Sequence, residues 1–200
     1  GTRWTPTLRY LSQHLEALQL VSLTVSGHPG SGTSTLVKGI CQLHGWEYLN
    51  GGAVFRSVAQ ERGLTVEEFS KLCDAEPEVD KSLDERLIIA MQSEDGPEVI
   101  ESRLCGWWAH NENINCIRLW LEVSTNERAN RVVRREGGTH EEAMERILRR
   151  MESDQIRYNN LYEISLEDKT PYNLIIESDS LNANEVLNLV DMELKKKGMI

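Results

Sequence analysis

A three-layer α/β/α fold, with a central parallel sheet and a small helical lid, follows from three features of the sequence. The first is Val21 to Thr35, VSLTVSGHPGSGTST, where an apolar, β-branched run ends in a glycine-rich loop that passes into Leu36, Val37 and Ile40 at helical spacing. The second is the recurrence of short apolar stretches between helix-length segments. Cys116 to Val123 is apolar on both faces, as a buried parallel strand is. The third is an arginine-rich stretch in which Glu127 to Glu136 and His140 to about Tyr162 read as helices on either side of Gly137-Gly138-Thr139, a hinged pair.

Each element can be justified in turn. Leu8, Leu11, Leu15 and Leu18 keep helical spacing in an N-terminal extension, residues 1–20, that carries no evident chemistry. After the first strand and its helix, Trp46 to Leu49 reads as a second strand. Asn50-Gly51-Gly52 then turns the chain into a helix with Arg56 one turn inside it, facing the cleft. Thr65 and Glu68 form a capping box for a helix from Val66 to about Asp74. Pro77 opens the next, to about Gln92, with Asp80 and Asp84 one turn apart; they read as a solvated acidic face. Glu98 to Glu101 is a third strand, leading into Ser102-Arg103. Leu174 to Ile176 is the last strand, and Asn184 to Lys197 closes the chain as a helix.

Length fits one domain, residues 1–200, with the lid and arginine-rich helix over about 128–160. No apolar stretch approaches membrane-spanning length, and the N-terminus lacks the apolar core and cleavage site of a signal peptide, so a cytoplasmic location is expected. Cys41, Cys73, Cys105 and Cys116 show no C-x-x-C spacing and read as reduced structural thiols. A net charge of −10 offers no overall basic field for a nucleic acid. A small anion needs only local charge, and eight of the 15 arginines lie between Arg128 and Arg157.

Gly27 and Gly32 keep the spacing of the P-loop pattern G-x-x-x-x-G-[K]-[ST], with Ser34 in the hydroxyl slot but Thr33 in the lysine slot. Glycines allow the backbone conformations that turn successive N–H groups toward an anion, and the following helix points its positive end at the same place. Ser34 offers a hard oxygen to Mg²⁺. The plainer alternative is a glycine-rich turn between strand and helix. Because ligands of open parallel sheets bind beyond the carboxyl ends of the strands, Arg56 and Arg103 should converge there. Arg150, Asp154 and Arg157, at i, i+4 and i+7, share one helix face, either a binding face or a salt-bridged surface. His28 reads as a tolerated loop residue rather than an acid or base, Trp107 and Trp108 as core-packing residues by default, with adjacency on a helix offering the alternative of one ring in the core and one in the cleft, and Tyr158 as a packing residue with a wet hydroxyl.

Four motifs together resemble one family. GHPGSGTST, LNGGAVFR, ESRLCGWWA and RMESDQIRYNNLY are similar, in order, to the cradle, the L-D-S-G-x-x-[YF]-R turn, the E-G-R-L-x-G-W strand end and the R-x-x-x-[DE]-x-x-R-Y helix of cytidylate kinases of the archaeal type, P-loop nucleoside-monophosphate kinases. The likeness runs from about Val21 to about Asp191. It implies a three-layer α/β/α P-loop fold and transfer of phosphate from ATP to CMP, and to dCMP, with Mg²⁺ as cofactor. The residues implied to bind ATP are Gly27, His28, Pro29, Gly30, Ser31, Gly32, Thr33, Ser34 and Thr35, with Ser34 on the metal. Gly52, Arg56, Arg103, Arg150, Asp154 and Arg157 are implied to bind the monophosphate, and Arg131, Arg135 and Arg150 to act on the transferring phosphoryl group. The expected partners are therefore small nucleotides, without nucleic acid or membrane, and the expected state is a monomer. Asn50-Gly51 replaces the Asp-Ser of the turn, and Ser102 replaces the glycine before Arg103; these departures bear on base and sugar selectivity. The alternatives are a kinase for AMP or UMP and a non-catalytic nucleotide-binding module.

Overall fold

The computed structural model describes residues 21–200. The helix expected over Leu8 to Leu18 lies outside the described residues. Five parallel strands form one sheet in the order β2-β3-β1-β4-β5. They are β1 (Leu23–Gly27), β2 (Tyr48–Asn50), β3 (Val99–Glu101), β4 (Ile117–Glu122) and β5 (Leu174–Glu177). The helices are α1 (Thr33–His44), α2 (Gly51–Glu61), α3 (Val66–Ala75), α4 (Pro77–Gln92), α5 (Cys105–Asn111), α6 (Thr125–Glu136), α7 (His140–Tyr162) and α8 (Ala183–Lys196).

β1 is central because it is buried throughout, and it pairs in register with both neighbours, Leu23 facing Val99 on one side and Ile117 on the other. Alternation sorts its side chains between two layers. Leu23 and Val25, with Leu119 and Leu121, face a core closed by Val37, Ile40, Val190 and Leu194 of α1 and α8. Trp120 and Ile100 face the opposite core, built on Val58, Phe69, Leu87, Met91 and Trp108 from α2 to α5. The strand limits differ by one or two residues from the sequence reading, most at β2, where Tyr48 to Asn50 pairs with β3 and Trp46 instead packs near the His44 ring.

Helix starts follow local chemistry. Asn50 accepts a bond from the Ala53 amide at 2.6 Å, and Thr65–Glu68, Thr139–Glu142 and Asn182–Glu185 form reciprocal capping boxes. α6 and α7 pack on each other through Ala129, Val132, Ala143 and Ile147, a small core of their own. The other end of α7 belongs to the large core, through Tyr158 and Tyr162. All four cysteines are free and buried, and burial pushes the thiols up, to about 11 for Cys41 and about 12 for Cys116. Such thiols stay protonated and unreactive. Among the described residues, no helix is long and apolar enough to cross a membrane.

Candidate active site

Sheet register sets the site. Glu101, the last residue of β3, lies beside Val25 of β1 and Asn50 of β2, so the turns leaving three strands open at one edge. From β1 the chain runs through His28 to Gly32 into α1. Gly30 and Gly32 have φ of +82° and +87°, a left-handed conformation costly for other residues, and a Cβ on Gly30 would also touch Arg128 and Val132. The Ser31 hydroxyl donates to the His28 carbonyl at 2.6 Å and closes the loop on itself. Gly27, His28, Pro29, Ser31 and Thr33 are buried, while Ser34 and Thr35 are exposed at the helix start.

Two residues that sequence reasoning passed over hold this cradle. Arg128 of α6, 2% exposed, donates to the Pro29 and Val123 carbonyls at 3.1 Å each and so fixes the loop from behind. Glu101 accepts the Thr33 hydroxyl at 2.8 Å, and burial raises its pKa despite that bond and the nearby Arg103. A lysine at position 33 would face this carboxylate directly; threonine satisfies it without a charge. His28 is not an idle loop residue. Its Nε2 meets Glu167 at 2.9 Å, its ring stands edge-on to Trp120 at 5.0 Å, and burial, then Arg128, lowers its pKa, so the ring is neutral near pH 7.

Beside the cradle lies a cavity of about 360 Å³ that gathers Gly52 and Arg56 of α2, Ser102 and Arg103 after β3, and Arg150, Asp154 and Arg157 of α7. The face shared by the last three is therefore a cavity wall. Arg103 donates to Asp154 at 3.1 Å, and Arg157 grips Asp80 through Nε at 2.8 Å and through Nη2. Among the described residues, Arg56 and Arg150 make no hydrogen bond or ion pair, which leaves two uncommitted guanidiniums on one cavity. The reading of Asp80 and Asp84 as a solvated face is corrected here. Asp80 is 3% exposed beneath Arg157. Asp84 lines the cavity, accepts the Tyr162 hydroxyl, and is pushed up to about 6, chiefly by burial. Tyr158 lines the same cavity, and Trp108 is buried while Trp107 is half-buried.

The two departures from the family pattern answer each other. A Cβ on Gly51 would come within 3.3 Å of the Ser102 Cβ, so the side chain absent at position 51 makes room for the one present at 102.

Arg131 and Arg135 do not line this cavity. They line a second one, about 640 Å³, with Gly30, Gly32, Thr35 and the turn from Asp179 to Ala183. Arg131 donates to the Ser31 carbonyl at 3.1 Å and to the Ser178 carbonyl at 2.6 Å, tying the cradle to the end of β5; Arg135 pairs with Glu136 at the surface. Two cavities thus carry arginines on their walls, and the glycine cradle lines one of them.

A family model described as the cytidylate kinase-like family matches residues 22–180. This chain belongs to the cytidylate kinase-like family. Curated relatives named cytidylate kinase support the assignment: one from Thermococcus kodakarensis is 40% identical over 168 residues, covering 84% of each chain. Another, from Methanococcus maripaludis, is 33% identical over 174 residues, covering 86% of this chain and 97% of the relative. Among solved structures, an uncharacterized protein from Eubacterium ventriosum superposes with a TM-score of 0.68 at 14% identity, covering 88% of this chain and 98% of that one. A shikimate kinase from Bacteroides thetaiotaomicron gives 0.56 at 16% identity, with the same shares covered. At such identities the likeness speaks to the fold, a kinase-type three-layer sandwich around a parallel sheet, as the family membership leads one to expect.

Proposed function

We propose that this chain transfers the γ-phosphoryl group of ATP to CMP, and to dCMP, giving ADP and the nucleoside diphosphate. The observation that carries this reading is a second arginine-lined cavity besides the one the cradle lines, holding two uncommitted arginines among the described residues. A module that only senses ATP has no use for a second anion pocket. In this reading the Gly27–Thr35 loop holds the donor phosphates, the cavity beside Arg131 takes the rest of ATP, and Arg56, Arg103 and Arg150 hold the acceptor phosphate. The protein works as a single kinase domain, a cytoplasmic monomer acting on small nucleotides and not on nucleic acid.

Transfer of a phosphoryl group asks mainly for alignment and for charge to neutralise the equatorial oxygens. Backbone N–H groups of the cradle and the α1 N-terminus meet the donor phosphates. Arg56 and Arg150 bring the acceptor in with bidentate geometry that lysine lacks. Mg²⁺, when bound, would supply charge neutralisation at the phosphates. The exposed Ser34 hydroxyl at the α1 N-terminus and the nearby Glu101 carboxyl are the oxygen donors that fit it, and no cluster of His, Cys, Asp or Glu among the described residues would hold a metal by itself. Closing the α6–α7 hairpin over the cavities would exclude water, a competing acceptor.

The test is ADP release with ATP, Mg²⁺ and each of CMP, dCMP, UMP and AMP. CMP is expected to be the best ribonucleotide acceptor; faster turnover of AMP, or none with any acceptor, would overturn the proposal. Thr33 and Arg131 provide a second check. Arg131 holds Ser31 and Ser178, whereas Thr33 only satisfies Glu101. Arg131→Ala is therefore expected to lower kcat/KM by about tenfold or more, and to cost more activity than Thr33→Ala. The reverse order would place the work of the missing lysine at position 33.

A further inference from the structure

The acceptor cavity has a mixed wall: besides its arginines it is lined by the apolar side chains of Phe55, Leu83 and Leu87 and the ring of Tyr158, and Asp84 lines it from the same helix as Leu83 and Leu87. Asp154, the other acid on the cavity, is already engaged by Arg103. We propose that Asp84 reads the base: its carboxylate accepts a hydrogen bond from the exocyclic amine of a cytosine lying against these apolar side chains. This rests on the proposed acceptor role of the cavity and goes beyond it by naming the residue that separates cytosine from uracil.

The carboxylate is held in place for such a task. The Tyr162 hydroxyl donates to Oδ2 at 2.5 Å and the Trp108 indole N–H also favours the anion, which leaves lone pairs of the carboxylate over for a further donor. Arg157 of α7 spends its fork on Asp80 and acts on Asp84 through its charge alone, favouring the anion without occupying it as a donor. An amine at the 4-position of the ring donates to a carboxylate. A carbonyl there, as in uracil, turns lone pairs against it and is rejected.

The charge of Asp84 also has a measurable cost. Its folded pKa is about 6, against an ordinary 3.8, because burial outweighs the Tyr162, Arg157 and Trp108 contacts that favour the anion, with Asp80 adding repulsion. A raised carboxylate binds more protons folded than unfolded. Stability from this group is therefore full below about pH 4, falls between about 4 and 6, and stays lower above.

Two measurements test this. In Asp84→Asn, kcat/KM for CMP is expected to fall relative to UMP by about tenfold or more. The KM for ATP should hold, and the variant should lack the wild type's loss of stability between pH 4 and 6. A packing role would lower CMP and UMP alike and leave their ratio unchanged, which would overturn the proposal. The second readout needs no variant. Asp80 on α4, Arg157, Tyr158 and Tyr162 on α7, Trp108 on α5 and Arg56 on α2 are the polar or charged groups around Asp84, whose own carboxyl is expected to titrate near pH 6. The phosphate's own ionisation near pH 6 is common to CMP and UMP. It cancels in their ratio. The CMP-to-UMP preference of the wild type should thus decline as pH falls through about 6; a flat ratio would count against Asp84. If the wild type uses neither CMP nor UMP, the functional proposal fails instead, and the two failures are distinguishable.

Discussion

Replacing Arg157 by alanine is expected to lower the stability of the folded chain by about 3 kcal/mol, near the lower end for a broken buried ion pair. The cause is the partner left behind. The Asp80 side chain is 5% exposed, whereas that of Arg157 is 37% exposed and opens onto the cavity, so the loss strands a buried carboxylate rather than a buried cation. For a domain of this size the melting temperature should drop by about 6–12 °C. The double change Arg157→Leu with Asp80→Leu should recover much of it, because an apolar pair leaves no charge unpaired. Thermal or urea unfolding of the single and double variants checks this; an unchanged midpoint in Arg157→Ala would mean that Asp80 finds solvent or another donor.

Arg56→Ala and Arg150→Ala are expected to behave in the opposite way. Neither side chain has a partner to strand among the described residues, so stability should change by less than about 0.5 kcal/mol. On the proposed role, each removes a charge-assisted contact to the acceptor phosphate worth about 1.5–3 kcal/mol. Each should then lower kcat/KM for CMP by about tenfold to a hundredfold while the KM for ATP barely moves. The double variant should lose less than the product of the singles, since both act on one phosphate. Unchanged CMP kinetics in both singles would remove this cavity from the reaction.

The frame of this site was legible because it rests on local chemistry. The glycine loop, the strand ends before Gly51 and Ser102, and the capping residues Thr65 and Thr139 act over three or four positions, and a sequence shows such distances directly. Arg128 was not separable from its neighbours, because whether an arginine in a charged helix points at solvent or at Pro29 depends on how α6 docks behind the cradle. Asp80 and Asp84 were misread although a signal existed. With Leu83, Leu87 and Met91 they fall at i, i+3, i+4, i+7 and i+11, on the apolar stripe of α4 and not opposite it. Acids on the buried face of an amphipathic helix ask for partners, and Arg157 and Tyr162 lie on α7, far away in sequence. Ser102 and Gly51 show the same limit in another form: each looks like a loss of pattern alone, and only their contact shows an exchange.

α7 runs unbroken for 23 residues, anchored in the small core at one end and the large core at the other. At 1.5 Å per residue it is a rod of about 34 Å. Its uninterrupted backbone makes the hairpin and the acceptor wall two ends of one lever. A tilt of only 10° about the Tyr158–Tyr162 end would carry the tip at Gly137 and Gly138 through about 6 Å, by the length of such a rod. On the proposed role of Arg150 and Asp154, a small tilt of the helix as they meet an acceptor would be magnified at its far end, without any relay of side chains between.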